Sequence, residues 1–222
     1  MFTGIIEHQG IVKTLDIAAT GARVAIETST LAPSLTVSNS VAVNGCCLTV
    51  VAIAGTTFSA DLSAETLAKT SFGSPSGLQG NSRVNLEQPV TAGKELGGHF
   101  VLGHVDATGV VTRLAPEASG SDSWTYAVQV PADFARYVVQ KGSITIDGIS
   151  LTVARWSPQT RIAEIAVIPY TYTHTNIHDR KPGDAVNLEA DILGKYIENY
   201  LDARKAPAVE TLTLSRLVEE GF

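Results

Sequence analysis

Cys47 and Ser150 occupy equivalent places in a hairpin that the sequence writes twice. Ser40-Val-Ala-Val-Asn44-Gly45-Cys46-Cys47-Leu48-Thr49-Val50 returns as Ser143-Ile-Thr-Ile-Asp147-Gly148-Ile149-Ser150-Leu151-Thr152-Val153. Asn-Gly or Asp-Gly between alternating apolar residues predicts a two-residue type I′ turn. Those residues tolerate positive φ, and the turn's twist suits the flanking strands. Such a turn fixes the register: Val43 opposite Cys46, Ala42 opposite Cys47, Val41 opposite Leu48, Ser40 opposite Thr49. Because side chains alternate across a strand, one face carries Val41, Val43, Cys46, Leu48 and Val50. The other carries Ser40, Ala42, Cys47 and Thr49. The second copy sorts alike, with Ile144, Ile146, Ile149, Leu151 and Val153 against Ser143, Thr145, Ser150 and Thr152. The face of small polar groups is where chemistry is expected. Cys47 on it is a nucleophile, a hydrogen-bonding wall or a small filler. Free cysteine usually behaves as a small buried hydrophobe, and no neighbouring cation in the sequence argues for a depressed pKa. The hydroxyl at the equivalent Ser150 favours a ligand-facing position. Cys46 reads as core.

The histidines offer less. His99 and His104 stand five apart, so on one strand they point to opposite faces and do not chelate a metal together. His174 and His178 have helical spacing, but no Glu or Cys partner completes a zinc signature. No metal is expected. His104 is a candidate acid or base, with an exposed structural histidine as the equal alternative. Walker, dinucleotide-binding and G-x-S-x-G signatures are all absent from the sequence.

The elements that must position these residues also repeat. Gly4 matches Gly103, Gly10 matches Gly109, Thr66 matches Thr171, and Val84-Asn-Leu-Glu87 returns as Val186-Asn-Leu-Glu189. A period of roughly 100 residues is a domain duplication and not a solenoid. Strands are expected near residues 5–15, 23–27, 40–43, 46–53, 57–62 and 83–87, then 101–114, 124–130, 143–146, 149–156, 161–168 and 185–189. A short helix is expected over 63–70 after a Ser63 cap, and another over 131–139 opened by Pro131. Six short strands per repeat suit a small closed barrel. The fold class is therefore all-β: two tandem six-stranded barrels, residues 1–97 and 98–190, with 94–98 as linker. A C-terminal helical segment over 191–222 follows. Its Ile192, Leu193, Tyr196, Ile197, Tyr200 and Leu201 form one stripe, read as a lid or as an oligomerisation face. Pro207 ends that helix, and 211–222 is expected to add a short one.

The 222 residues are 44% hydrophobic and 17% charged, enough to bury a core in each half. A net charge of −6 without a basic run argues against nucleic acid. No apolar run is long enough to span a bilayer, and the N-terminus lacks a signal-peptide pattern. The only two cysteines are adjacent, poorly placed for a disulfide, so a reduced, cytoplasmic setting is expected.

Five motifs then carry a resemblance that spans essentially the whole chain. Met1-Phe-Thr-Gly-Ile-Ile-Glu, Asn44-Gly-Cys-Cys-Leu-Thr-Val50, Gly97-Gly-His-Phe-Val-Leu-Gly-His104, Asp147-Gly-Ile-Ser-Leu-Thr-Val153 and the two Val-Asn-Leu-Glu blocks resemble the riboflavin synthase family, alpha-chain type. The resemblance implies Greek-key barrels that each bind one lumazine, in a homotrimer joined by the C-terminal helix. It implies a dismutation without external cofactor. Two 6,7-dimethyl-8-ribityllumazine molecules exchange a four-carbon unit, giving riboflavin and 5-amino-6-ribitylaminopyrimidinedione. Association with a lumazine synthase stays open.

Carried over by residue, the resemblance assigns the first pocket Gly4, Ile5, Ile6, Cys47, Leu48 and Thr49, with Asp61, Leu62, Ser63, Ala64, Glu65 and Thr66. The second receives Gly103, His104, Val105, Lys141, Ser150, Leu151 and Thr152, with Ala166, Val167, Ile168, Pro169, Tyr170 and Thr171. Ser40, Cys47, His104, Asp147 and Asp191 are associated with turnover, and Phe2 with closing the site. Repeat B has Tyr170-Thr-Tyr172 where repeat A has Glu65-Thr-Leu67, so a glutamate contact does not carry over. The competing readings are a non-catalytic lumazine or flavin carrier of the same superfamily, and a two-barrel flavin reductase lacking its nucleotide domain. Both hairpins being intact favours the enzyme over the first, and the missing dinucleotide fingerprint counts against the second.

Overall fold

The computed structural model describes residues 1–205 together with 218 and 221. The helix expected over 211–222 lies outside the described residues. The first repeat contains strands β1 (His8–Ala18), β2 (Gly21–Glu27), β3 (Ser40–Val43), β4 (Cys46–Ala54), β5 (Thr57–Ser63) and β6 (Arg83–Glu87), and helix α1 (Ala64–Lys69). They close into a barrel in the order β1-β2-β5-β4-β3-β6. The second repeat contains β7 (Ala107–Pro116), β8 (Trp124–Gln129), β9 (Ser143–Ile146), β10 (Ile149–Ser157), β11 (Ile162–Val167) and β12 (Ala185–Ala190), and helix α2 (Pro169–His174). Its barrel closes with the same connectivity. By contacts the chain divides into Met1–Ile192, which holds both barrels, and Leu193–Phe222.

Turn chemistry accounts for the two hairpins. Asn44 and Gly45 have φ of 44° and 75°, and Asp147 and Gly148 have 47° and 80°, the positive values that a type I′ turn requires. The expected register follows, with Ala42 opposite Cys47 and Thr145 opposite Ser150. Bulges fall at matching places, in β1 and β7 and again in β4 and β10, where an extra residue bends a strand enough to close the barrel. The inward faces supply the cores: Val24, Ile26, Val41, Val43, Phe58 and Leu86 in the first, Tyr126, Val128, Ile144, Ile146, Ile165 and Leu188 in the second. Cys46 lies in the first core as expected, and burial pushes its thiol pKa up to about 12.

Local readings needed correction in three places. The expected helix over 131–139 is only a 3₁₀ turn, Ala135–Tyr137, matched in repeat A by another at Ala32–Ser34. Each turn drops two apolar side chains into its barrel, Phe134 with Val138 and Leu31 with Leu35, and that plug fixes the backbone against a regular helix. Helix α2 forms where Tyr and Thr are poor helix formers. Pro169 opens it, Thr173 Oγ1 donates back to the Pro169 carbonyl at 3.0 Å, and Trp124 stacks on Tyr172 with ring centroids 4.0 Å apart. Finally, β1 and β7 begin at His8 and Ala107, later than expected, because residues before them leave their own barrels. The connection between the barrels is therefore longer than 94–98, running from the end of β6 to the start of β7.

Helix α3 (Ile192–Lys205) follows the second barrel. Tyr196, Ile197, Tyr200 and Leu201 on its stripe are 50–71% exposed. No described helix is long and apolar enough to cross a membrane.

Candidate functional site

The Val-Asn-Leu-Glu blocks, which mark the duplication in the sequence, build the seam on which the site depends. Asn85 and Asn187 reach across it. Asn85 Nδ2 donates to the Asp147 carbonyl at 2.9 Å, and Asn187 Nδ2 donates to the Asn44 carbonyl at 2.8 Å. Each hairpin turn is thus held by the asparagine of the other barrel, and the turns meet closely. A Cβ on Gly45 would stand 2.8 Å from the Gly148 nitrogen, so neither position admits a larger residue. Asn176 adds a third strut, its backbone N–H donating to Asn85 Oδ1 at 2.8 Å.

Asp147, expected among the turnover residues, lies in this seam. Its side chain is 2% exposed, with Oδ1 accepting from the Asn187 N–H at 2.9 Å and Oδ2 bonded to Arg180 Nη2. Burial is the largest single influence on the Arg180 pKa and lowers it, but the charge and hydrogen bond of Asp147, with Tyr126 and Asp184, together raise it by more, so the guanidinium stays protonated. The counterpart Asn44 accepts instead from neutral donors, the Asn85 N–H at 2.7 Å and Asn176 Nδ2 at 3.1 Å. The Asn44/Asp147 difference therefore accommodates Arg180.

The glutamates of the same blocks anchor the two glycine loops. Glu87 accepts from Thr3 N–H and Oγ1, both at 2.7 Å, and from Gly4 N–H at 2.9 Å. Burial raises its pKa against those lowering bonds. Glu189 accepts from the Leu102 and Gly103 N–H groups at 2.6 and 3.0 Å. So held, the loops cross over. The Gly4 carbonyl accepts from the Ser150 N–H at 2.7 Å, and the Gly103 carbonyl from the Cys47 N–H at 2.8 Å. Ile6 packs against the second core and Val105 against the first. The expected grouping is thus exchanged: Gly4, Ile5 and Ile6 lie with Ser150, while Gly103, His104 and Val105 lie with Cys47. The backbones of Phe2 and Val101 pair between the repeats, which sequence spacing within either repeat does not reveal.

The small polar faces are therefore covered in part. Ala42 and Thr145 are buried, Cys47 and Ser150 half-buried, and Thr49 and Thr152 exposed. Phe2 is fully buried in a cluster with Ala42, Val101 and Cys47. Over Ser150 lies His99, considered earlier only as a metal ligand. From the covered residues each strip runs outward, Cys47–Thr49 toward β5 and Ser150–Thr152 toward β11. There the two barrels differ. On the first, Asp61 takes a two-point ion pair from Arg23, with Nε–Oδ1 at 2.7 Å and Nη2–Oδ2 at 3.0 Å; the hydrogen bond from Arg23 holds the Asp61 pKa down. On the second, Thr125 and Ala166 fill those places and line an open cleft of about 580 Å³ with Lys141, Arg113, Arg155 and Glu164.

The remaining expected residues fall around these strips. Ser63 caps α1 by accepting from the Thr66 N–H at 3.0 Å, leaving Ala64 and Glu65 exposed at the helix start. Ile168, Pro169 and Tyr170 are exposed at the start of α2, with Thr171 half-buried. Leu48, Leu62, Leu151 and Val167 point into the cores, so they contribute backbone only. His104 is exposed and Ile5 47% exposed. Ser40 lines a separate cleft of about 490 Å³ with Glu7, Gln88 and Lys94. Asp191, half-buried just before α3, raises the pKa of His99 against the larger lowering by burial. His174 stacks on Tyr170 and His178 faces Tyr172 and Asp179. No group of three or more metal-ligating side chains occurs among the described residues.

Comparison with known proteins follows this geometry. The model of the lumazine binding domain matches twice, over residues 3–89 and 102–191, one match per barrel. Riboflavin synthase of Actinobacillus pleuropneumoniae is 40% identical over 225 residues, covering the whole of both chains. That of Mycobacterium tuberculosis is 42% identical over 204 residues, covering 90% of this chain and 98% of its own. The structure of LumP complexed with 6,7-dimethyl-8-(1′-D-ribityl)lumazine is 26% identical with a TM-score of 0.75, covering 86% of this chain and 99% of that one. The riboflavin complex of LumP superposes with a TM-score of 0.77. Two closed barrels, each with its own lumazine-binding match, and relatives alike over their full length make this chain a member of the riboflavin synthase family.

Proposed function

We propose that the protein is a riboflavin synthase that dismutates two molecules of 6,7-dimethyl-8-ribityllumazine without an external cofactor. One molecule gives a four-carbon unit and leaves as 5-amino-6-ribitylaminopyrimidinedione; the other receives it and becomes riboflavin. The observation that carries this reading is a duplicated site whose two copies are both complete and chemically unequal. Each barrel keeps its polar strip, its crossed glycine loop and its capping helix. The first offers a thiol at Cys47 and the paired Asp61; the second offers a hydroxyl at Ser150 and an open cleft edged by Lys141. Two identical substrates that must play opposite roles need that inequality.

The chemistry asks for removal of a proton from the C7 methyl of one lumazine while the second is held within bonding distance. On this reading much of the rate comes from apposition. Cys47, His104, Ser40 and Asp191 are assigned the assisting roles on the strength of the family resemblance, and Asp147 acts by holding the hairpin turns. The backbones at Leu48, Leu62, Leu151 and Val167, with the exposed groups at Thr49, Ser63, Ala64, Glu65, Thr152, Ile168, Pro169 and Tyr170 and the half-buried Thr66 and Thr171, form the walls.

Each working site would join the first barrel of one chain to the second barrel of a neighbour in a homotrimer. Within one chain the turns meet tip to tip and the strips run outward from the seam, which supports pairing between chains. The exposed stripe of Tyr196, Ile197, Tyr200 and Leu201 supports α3 as the joining element. The division into 1–97, 98–190 and 191–222, and a cytoplasmic setting suited to two free thiols, belong to the same reading. Incubating purified protein with the lumazine alone tests it. Riboflavin fluorescence appearing without added cofactor is expected; stable binding without product would make the protein a carrier.

A further inference from the structure

His99 lies over the second hairpin much as Phe2 lies over the first, but with polar contacts. Its Nδ1 is 2.7 Å from Ser150 Oγ, and its Nε2 is 3.1 Å from Thr145 Oγ1. The residue is 9% exposed, and its backbone N–H donates to the Thr3 carbonyl, so ring and backbone are both fixed. Thr145 and Ser150 face each other across the hairpin, and the ring bridges them. The corresponding pair on the first barrel, Ala42 and Cys47, meets the apolar ring of Phe2 instead.

Burial pushes the pKa of His99 down, against a smaller opposing effect of Asp191, so the ring is neutral. A neutral imidazole has one donor nitrogen and one acceptor. The two distances fit one tautomer better than the other. Hydroxyl donors give contacts near 2.7 Å, and ring N–H donors longer ones. In that tautomer Ser150 O–H donates to Nδ1, and Nε2–H donates to Thr145 Oγ1. With its only proton engaged, Ser150 Oγ is left with lone pairs and acts as an acceptor alone.

We propose that His99 is a positioning residue that fixes the Ser150 hydroxyl as a hydrogen-bond acceptor on the second barrel, and so sets that barrel's selection of ligand groups bearing N–H or O–H. Cys47, a weak acceptor under an apolar ring, makes no such demand on the first barrel. The proposal rests on the assignment of Ser150 to a ligand-binding strip, and it supplies a physical origin for unequal binding by two barrels of the same fold.

Two substitutions separate this role from a structural one. An Asn amide sits where His Nδ1 sits, so His99→Asn keeps an acceptor for Ser150. A Gln amide sits where Nε2 sits, so His99→Gln keeps the Thr145 contact and releases Ser150. Turnover of 6,7-dimethyl-8-ribityllumazine and fluorescence titration with riboflavin are measured for both, for Ser150→Ala, and for the double variant H99Q/S150A. His99→Asn is expected within about twofold of the parent in kcat/KM, whereas His99→Gln and Ser150→Ala each lose roughly fivefold to tenfold, the worth of one hydrogen bond. The double variant is expected to lose no more than Ser150→Ala alone. Equal losses in H99N and H99Q, an unaffected H99Q, or losses that multiply in the double variant would each overturn the proposal. Should H99Q not fold, Thr145→Val asks the same question by freeing the ring: a loss absent from the S150A background supports it, and an unchanged rate overturns it. A parent protein that makes no riboflavin would overturn the functional reading instead, and the riboflavin titrations would then decide the role of His99 by themselves.

Discussion

Replacing Asp147 by Asn should unfasten the seam between the barrels. The amide keeps an oxygen for the Asn187 N–H, 2.9 Å away in the parent. It removes the charge facing Arg180, and whichever way it turns it cannot also satisfy both the Arg180 and Asn176 donors. The guanidinium is then buried without a partner charge, since its side chain is only 10% exposed. Removing one member of a buried pair costs about 3–5 kcal/mol. At about 2–4 °C per kcal/mol for a chain of this size, the melting temperature should fall by roughly 6–20 °C. Arg180→Met alone should cost a similar amount by stranding Asp147. The double variant D147N/R180M carries no unpaired charge and should recover most of the loss, because a buried pair exchanged for neutral groups of similar volume is often close to neutral. Thermal unfolding followed by circular dichroism, with lumazine turnover measured at a temperature where all variants are folded, reads both properties. If Asp147 acts by holding the hairpin turns, activity returns with stability in the double variant. A stable, folded double variant without activity would refute that reasoning and put the carboxylate in the chemistry itself. An unchanged melt in D147N would refute the energetic argument.

Further expectations concern assembly and pH. If the protein is the proposed trimer, removing residues 192–222 should disperse it while each barrel keeps its fold, and sedimentation showing an intact trimer would remove α3 from the interface. Residues 1–97 should fold alone and bind lumazine or riboflavin without turnover, since the first barrel closes on its own six strands; a fragment without a β-sheet spectrum would contradict this. Co-refolding Cys47→Trp with Ser150→Trp, each inactive alone, should restore activity, because mixed trimers contain one undamaged pairing. Verified mixed trimers that stay inactive would place each site within one chain. His99 has a folded pKa below its unfolded value, so the folded state binds fewer protons and stability is present above about pH 6.5. It should fall as the pH drops toward and through the lower folded pKa, and a melt series from pH 7 to 5 should lose this component in His99→Asn.

What the sequence discloses here is what local chemistry decides. Asn44-Gly45 and Asp147-Gly148 dictate their turns, the turns dictate the register, and the register places Cys47 and Ser150 on matching outward positions. Alternation assigns the two cores almost without error, Cys46 included. The misreadings that bear on the site have one common cause, interaction between the repeats. Residues before β1 and β7 look like strand starts and instead cross the seam, tied down by Glu87 and Glu189 more than eighty residues away in sequence. Asn85 and Asn187 look like ordinary strand residues, and only the approach of two hairpin turns gives them a task. His99 reads as half of a failed metal pair until Ser150 and Thr145 are seen beneath it. The repetition of Val-Asn-Leu-Glu was the available signal: polar side chains kept in both copies of a strand that otherwise needs apolar ones.

The seam also explains how a duplicated fold supports unequal chemistry without giving up its symmetry. Asn85 and Asn187, Glu87 and Glu189, and Gly45 and Gly148 make matching contacts on the two sides, so the frame treats both barrels alike. Apart from the Asp147–Arg180 pair, which answers Asn44 inside the frame, the differences lie one residue outward from it. Phe2 and His99 stand over Cys47 and Ser150; farther out, the Arg23–Asp61 pair is answered by Thr125 and Ala166. These substitutions alter what each strip presents to a ligand while leaving the buried contacts of the frame untouched. Donor and acceptor roles can thus be tuned on the two strips independently. A change within the frame, as at Asp147, should instead disturb both sites together, and that contrast is what the paired stability and turnover measurements resolve.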